Sequence, residues 1–157
     1  MKKIILFLCI TTFLYANKYE IYFKEMHLGT IKNLETIHDG YLVAKPNFLV
    51  KSILKYDNFL LYTKKPDKKY KNPKYKYDKH YILSILSMLH NTRPTYKKQR
   101  TKTSDILIEC KNDVCNYKKI NKTNGKISYG TVLFKNNQLI RLDDKSSKIV
   151  IKKQNKN

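Results

Sequence analysis

From Tyr19 onward, aromatic and β-branched residues alternate with polar ones in short runs, and pairs rich in Asn, Asp and Gly cut the runs apart. Period-two alternation puts one face of each run on a core and the other in water. Tight turns then make neighbouring runs pair antiparallel. A chain patterned this way folds as a meander of hairpins. The runs 19–24, 28–37, 41–44, 48–54 and 59–62 read as strands in the first half. The runs 105–110, 115–120, 126–135, 138–142 and 148–152 read as strands in the second. Asp39-Gly40, Asn124-Gly125 and Asn136-Asn137 carry the chemistry of two-residue turns, because these residues tolerate positive φ. Glu25-Met26-His27 and Tyr56-Asp57-Asn58 read as tight connections, and 143–147 as a longer one.

One segment switches period. In 78–91, Tyr81, Ile82, Ile85, Leu86 and Leu89 recur at helical spacing and Met88 widens the stripe. Asp78 is placed to cap the first turn, and Pro94 blocks continuation. The fold class expected is mainly β or α+β. It is a curved antiparallel sheet of about eight or nine strands, with one amphipathic helix over 79–91 packed on one face.

The first residues follow a different grammar. MKKIILFLCITTFLYA has a basic start (Lys2, Lys3), an apolar run from Ile4 to Leu14 and a small residue, Ala16. That is the pattern of a secretory signal peptide. The run is shorter than the roughly 20 residues a spanning helix takes. Cys9 lies in the run, but Leu6, Phe7 and Leu8 are not the small residues a lipid-modification site wants ahead of its cysteine. The expectation is a signal peptide over 1–16, one domain over 17–152 and a fraying tail over 153–157. The mature protein is then exported, most simply to the periplasm of a Gram-negative-type bacterium.

Cysteine usage fits an oxidising compartment. Cys110 and Cys115 remain after Cys9 is set aside, an even pair flanking Lys111-Asn112-Asp113-Val114. With strands on both sides, a four-residue loop sets them at the base of a hairpin, near disulfide spacing. We expect a structural staple. A redox pair has two residues between its cysteines and opens a helix. Zinc would need further Cys or His nearby.

The formal charge is +21. Such a charge draws a chain to nucleic acid, anionic lipid or acidic polysaccharide. The bias toward Lys, Asn, Ile and Tyr runs through every segment, however, and AT-rich coding produces it without selection for binding. The densest stretch is 64–77, KKPDKKYKNPKYKY, with two prolines and no aliphatic residue. It reads as a loop. Lys64, Lys65, Lys68, Lys69, Lys71, Lys74 and Lys76 form the candidate anion-binding set. A second basic connector is expected over 95–104. Stacking platforms for nucleic-acid bases sit on rigid strands, so nucleic acid is the less favoured partner and anionic lipid or an envelope component the more favoured.

No motif names a reaction. The four glycines are scattered in turns rather than gathered in a phosphate loop. Ser84 and Ser87 lie inside the helix with no lysine at nucleophile spacing. His80 and His90 share the helix, but ten positions separate them by roughly 15 Å along its axis. His27 and His38 are isolated in sequence, and Asp143-Asp144 falls in a turn rich in Lys and Ser. We assign no catalytic residue, metal or cofactor.

An exported β-rich chain with an early Tyr-x-x-x-Phe strand, a near-central amphipathic helix and a closing meander resembles the periplasmic domains of unknown function related to LolA-type lipoprotein carriers. The likeness runs over about 19–135 and rests on Asp78, Leu83-Ser84, Leu86-Ser87 and Arg93 around the helix. The Lys-rich insertion departs from that pattern. The resemblance implies an open, curved sheet wrapped around a helix, with a concave apolar face and no catalytic residues. The function expected is that of a monomeric, non-catalytic envelope protein. It would bind an apolar or anionic ligand or support envelope assembly. The alternatives are a binder of anionic polymers such as nucleic acid or lipopolysaccharide, and an enzyme with dispersed active-site residues.

Overall fold

The structure is a computed structural model, which describes residues 18–32, 34–63, 74–89 and 93–154. Five strands precede the central helix: β1 (Tyr19–Phe23), β2 (Met26–Ile31), β3 (Tyr41–Pro46), β4 (Asn58–Tyr62) and β5 (Tyr75–Asp78). A short helix α1 (Phe48–Leu54) lies between β3 and β4, and α2 (Tyr81–Leu89) follows β5. Then come β6 (Tyr96–Arg100), β7 (Ser104–Lys111), β8 (Val114–Asn121), β9 (Ile127–Lys135), β10 (Gln138–Asp144) and β11 (Ile149–Lys153). All eleven strands join one sheet in the order β5-β4-β3-β2-β1-β11-β10-β9-β8-β7-β6. Every pairing is antiparallel except β4 with β5. The parallel pair is joined through 63–74, about the dozen residues a crossover takes.

This order forces the sheet to curl. Laid flat, eleven strands would hold β5 and β6 ~48 Å apart. The link between them has nine helical residues, ~13 Å long. Its eight other residues, 79–80 and 90–95, reach ~27 Å at full stretch. The link is shorter than a flat sheet is wide, so the edges must approach each other and α2 crosses the hollow between them. That hollow is the core. Ile82, Leu83, Ile85, Leu86, Met88 and Leu89 are all buried, against Ile31, Leu42, Ile108, Val132, Leu142 and Ile151 of the sheet. The stripe read from sequence omits Leu83, which is fully buried, because the sheet wraps the helix on more than one side.

Several sequence expectations need correcting. The run 48–54 is helix α1, not a strand. Asn47 caps it, with Oδ1 accepting from the Val50 N–H at 2.8 Å, and Lys55 ends it in the left-handed region. The Tyr56-Asp57-Asn58 hairpin therefore does not exist; the segment leads from α1 into β4. The run 28–37 is also not one strand. β2 stops at Ile31, a 3-10 turn occupies Glu35–Ile37, and Gly40 at φ 79° closes the connection. Asp39-Gly40 is thus the end of a longer loop. Asn124-Gly125 likewise lies in the loop 122–126 rather than forming a two-residue turn. Asn136-Asn137 does form one, with both residues at positive φ.

Two segments read as loops contain strands. Tyr75–Asp78 is β5, inside the Lys-rich stretch, and Tyr96–Arg100 is β6, inside the second basic connector. Both are edges of the sheet among the described residues. Their polar sequences carry no buried-face pattern because an edge strand has little core to face. Asp78 ends β5 and does not cap α2; the Ile82 N–H instead donates to His80 Nδ1 at 3.2 Å. The expected signal segment and Lys64, Lys65, Lys68, Lys69 and Lys71 lie outside the described residues.

Candidate functional site

Between α1 and the concave face of β1–β4 is a cavity of about 430 Å³. Strand alternation, broken by a bulge at Leu28 in β2, builds its floor. The inward residues are Ile21 of β1, Leu28 and Ile31 of β2, Ala44 of β3, Phe59 and Leu61 of β4, and Ile149 and Ile151 of β11. Ile82 of α2 forms one wall, and Val50, Ile53 and Leu54 of α1 form the cover. These three stand at i, i+3 and i+4, so one side of α1 faces the cavity. Charged or ionisable groups enter only at the margin, from Lys45, Asp78 and His80. Burial pushes the His80 imidazole below its ordinary pKa, so its neutral form is favoured.

A volume of this size lies in the range of small-molecule sites, roughly 300–1,000 Å³. An apolar void of ~150 Å³ already stays dry and admits benzene. This cavity therefore has room for an apolar group of about a dozen carbons or more. It carries no constellation of convergent polar groups, and its chemistry is that of a solvent for hydrocarbon.

The backbone keeps the cover in place. The Asn47 N–H donates to the Leu28 carbonyl at 2.8 Å, and Asn47 Nδ2 donates to the His27 carbonyl. These bonds pin the start of α1 onto β2. Gly29 makes the close approach possible. A Cβ there would stand 2.2 Å from the Lys45 carbonyl oxygen and 2.9 Å from Pro46 Cα. Yet α1 itself has no buried residue. Phe48 is 86 % exposed, Leu49 55 % and Ile53 69 %.

A buried polar cluster ties α2 to the opposite arm. Asp144, at the end of β10, is wholly buried. Its Oδ2 accepts from the Tyr117 hydroxyl at 2.8 Å and from the Tyr81 hydroxyl, and its Oδ1 accepts from the Ser147 N–H at 2.8 Å. Tyr81 stacks on His80 with ring centroids 4.8 Å apart, and Lys119 Nζ lies 4.5 Å from the Tyr81 ring centroid. Burial, reinforced by Asp144, pushes the Tyr81 hydroxyl up to about 12, and burial pushes Tyr117 up as well. Both Asp144 carboxylate oxygens are hydrogen-bonded, and the Tyr81 bond makes the buried carboxylate an anchor for α2. The sequence reading placed Asp144 in a polar turn and missed it. The available signal was its spacing from Leu142, which shares its face of β10.

The remaining sequence-selected residues sit elsewhere. Cys110 and Cys115 are register partners in β7 and β8, with Cα atoms 4.0 Å apart and their sulfurs at bonding distance. The turn between them is tighter than the expected four residues, because Lys111 and Val114 still pair and only Asn112-Asp113 turn. Lys76 projects from the exposed side of β5, and the Lys74 carbonyl accepts from the Asp57 N–H at 3.0 Å. A second hollow of about 540 Å³, on the outer face of β2–β4, is lined by Lys32, Lys45, Lys51, Asp57 and Tyr75. Lys51 is held there by Asp57 at 2.6 Å. Arg93 caps α2, donating to the Leu89 carbonyl while its guanidinium lies 3.3 Å from the Phe134 ring centroid.

No protein-family model, no curated protein and no solved structure matches the chain.

Proposed function

We propose that this is an exported, non-catalytic envelope protein that binds one apolar ligand, an acyl chain or a group of that size, in the cavity beneath α1. The observation that carries this reading is the cavity itself, lined mainly by aliphatic side chains from five strands and two helices. A close-packed interior does not leave such a space by default. Each methylene moved from water into it contributes about 0.8 kcal/mol. A ready-made cavity keeps the ordering cost of binding low. The reading agrees with what the resemblance to LolA-type carriers implies, an open curved sheet with an apolar concave face.

The test is titration of the purified protein with a fluorescent fatty acid. One saturable site is expected. Ala44→Phe places a ring in the cavity from β3 and should weaken binding at least about tenfold while the protein stays folded by circular dichroism. Val50→Trp, which fills the space from the cover, should do the same if Ala44→Phe does not fold. Absence of saturable binding in the wild type, or equal affinity in a folded filled variant, overturns the reading.

A further inference from the structure

We propose that the α1 end of the sheet is a docking surface for an anionic lipid bilayer, with Phe48 and Leu49 entering the interface and a rim of lysines resting on the headgroups. The proposal rests on the reading of the cavity as an apolar-ligand site, because the bilayer would be the surface from which that ligand is taken or to which it is given.

Antiparallel pairing sends the β1–β2 turn, the β10–β11 turn and the β8–β9 loop to the same end of the sheet as α1. Hydrogen bonds tie each of these loops to a neighbouring segment at that end. The Lys24 N–H donates to the Lys148 carbonyl, the Lys145 N–H to the Tyr129 carbonyl, and the Lys122 N–H to the Thr103 carbonyl. On this rim Lys24, Lys55, Lys126, Lys145 and Lys148 are exposed and form no ion pair among the described residues. Two lysines there are neutralised, Lys51 by Asp57 and Lys122 by Asp105. Glu25 is the carboxylate opposed to the rest.

The apolar part sits on the same end. Phe48 is exposed almost completely on a helix with no buried residue, and Met26 and Ile127 are about half exposed at the same end of the sheet. A large exposed ring beside other apolar side chains is costly in water and marks a surface that is covered in use. The ring of lysines says what covers it. Aliphatic stems and aromatic rings enter the acyl boundary while ammonium groups stay at anionic headgroups. The inner side of the same helix lines the cavity, so the element that would touch the bilayer is also the cover of the ligand site.

The chain has no tryptophan, which gives a direct probe. Phe48→Trp on the full mature chain introduces a unique fluorophore at the proposed contact. Tyr96→Trp places one at the opposite end of the sheet, on the exposed edge strand β6. With vesicles of phosphatidylcholine and phosphatidylglycerol, Phe48→Trp emission should shift to the blue and Tyr96→Trp emission should stay unchanged. Pure phosphatidylcholine should give a much weaker response, and salt should reverse it. Removing Lys145 and Lys148 as glutamines should lower partitioning about fivefold for each lysine. No shift at Phe48→Trp, an equal shift at both positions, or an equal response to uncharged vesicles overturns the proposal. So does a shift produced by adding unlabelled protein alone, which would make the surface a contact between copies of the chain. The fatty-acid titration is done without vesicles. A docking variant such as Leu49→Ser should keep that binding and lose vesicle partitioning. Vesicle docking without any fatty-acid site would overturn the ligand reading and leave the docking surface standing.

Discussion

Tyr117 on β8 donates its hydroxyl hydrogen to Asp144 on β10 across the whole width of β9, at 2.8 Å. The residue between them is Gly130, paired in register with both. A Cβ at Gly130 would fall 2.5 Å from the Tyr117 hydroxyl oxygen and 2.2 Å from the Asp143 carbonyl oxygen. The glycine is there for space. Its backbone is not in the left-handed region. Gly130→Ala should therefore destabilise the fold by about 3 kcal/mol or more, since backbone as well as side chain must move. Tyr117→Phe keeps the ring and removes one bond to a buried carboxylate, and should cost about 1.5–3 kcal/mol. Urea unfolding of both variants checks the order.

Alkaline pH should open the same cluster. Tyr81 has its hydroxyl held up to about 12, and that of Tyr117 is raised too, while both revert to about 10 when unfolded. The neutral hydroxyls are the stabilised form. Their contribution is complete below about pH 10 and is lost as pH rises toward about 12. Stability measured by denaturant should fall across that window. The fall should be shallower in Tyr81→Phe, which has one fewer hydroxyl to ionise. A flat profile from pH 9 to 12 in the wild type would count against the cluster.

The helix carries the core, so truncating it should be expensive on sides the simple stripe does not predict. Leu83→Ala and Leu86→Ala should each cost about 2–5 kcal/mol, because both side chains are buried in the hollow of the sheet. Ser87→Ala, at the exposed position of α2 that follows Leu86, should change stability by less than about 0.5 kcal/mol. Equal melting temperatures for all three would mean that α2 does not fill the hollow.

The cysteine pair should be unreactive to thiol labels until a reductant is added. Joining Cys110 to Cys115 closes a very short loop, so reduction should lower stability only modestly, on the order of 2 kcal/mol. Cys115 is fully buried and Cys110 is not. After reduction Cys110 should therefore label first. Full labelling of both thiols in unreduced protein isolated from its own compartment would remove the staple.

How far the chain could be read depended on whether one face of a segment was buried. Strands β7 to β9 alternate cleanly, as at Ile106 and Ile108 or Val132 and Phe134, and the strands of the β7–β11 meander are legible to within a few residues. Edge strands β5 and β6 have no such face, and Tyr75–Asp78 and Tyr96–Arg100 looked like loops. α1 reads as a strand from sequence because FLVKSIL is apolar at enough positions to satisfy either period, and because it is short. The deciding signal was Pro46-Asn47, a strand stop followed by a helix cap. The cavity was not legible at all. It depends on the distance between α1 and residues on β1, β4 and β11, which hydrogen-bond register sets and no local pattern encodes.

The first and last described strands lie side by side in the middle of the sheet, with Tyr19 opposite Lys153 and Phe23 opposite Ile149. Each arm of the sheet is a run of near neighbours that can zip locally, β1 through β4 on one side and β6 through β11 on the other. The seam between them joins residues at the two extremes of sequence separation, where loop closure is most costly in entropy and contact formation slowest. Folding is therefore split in time. The arms can form by local pairing, but the floor of the cavity, which needs Ile149 and Ile151 beside Ile21, is complete only when the seam between them closes.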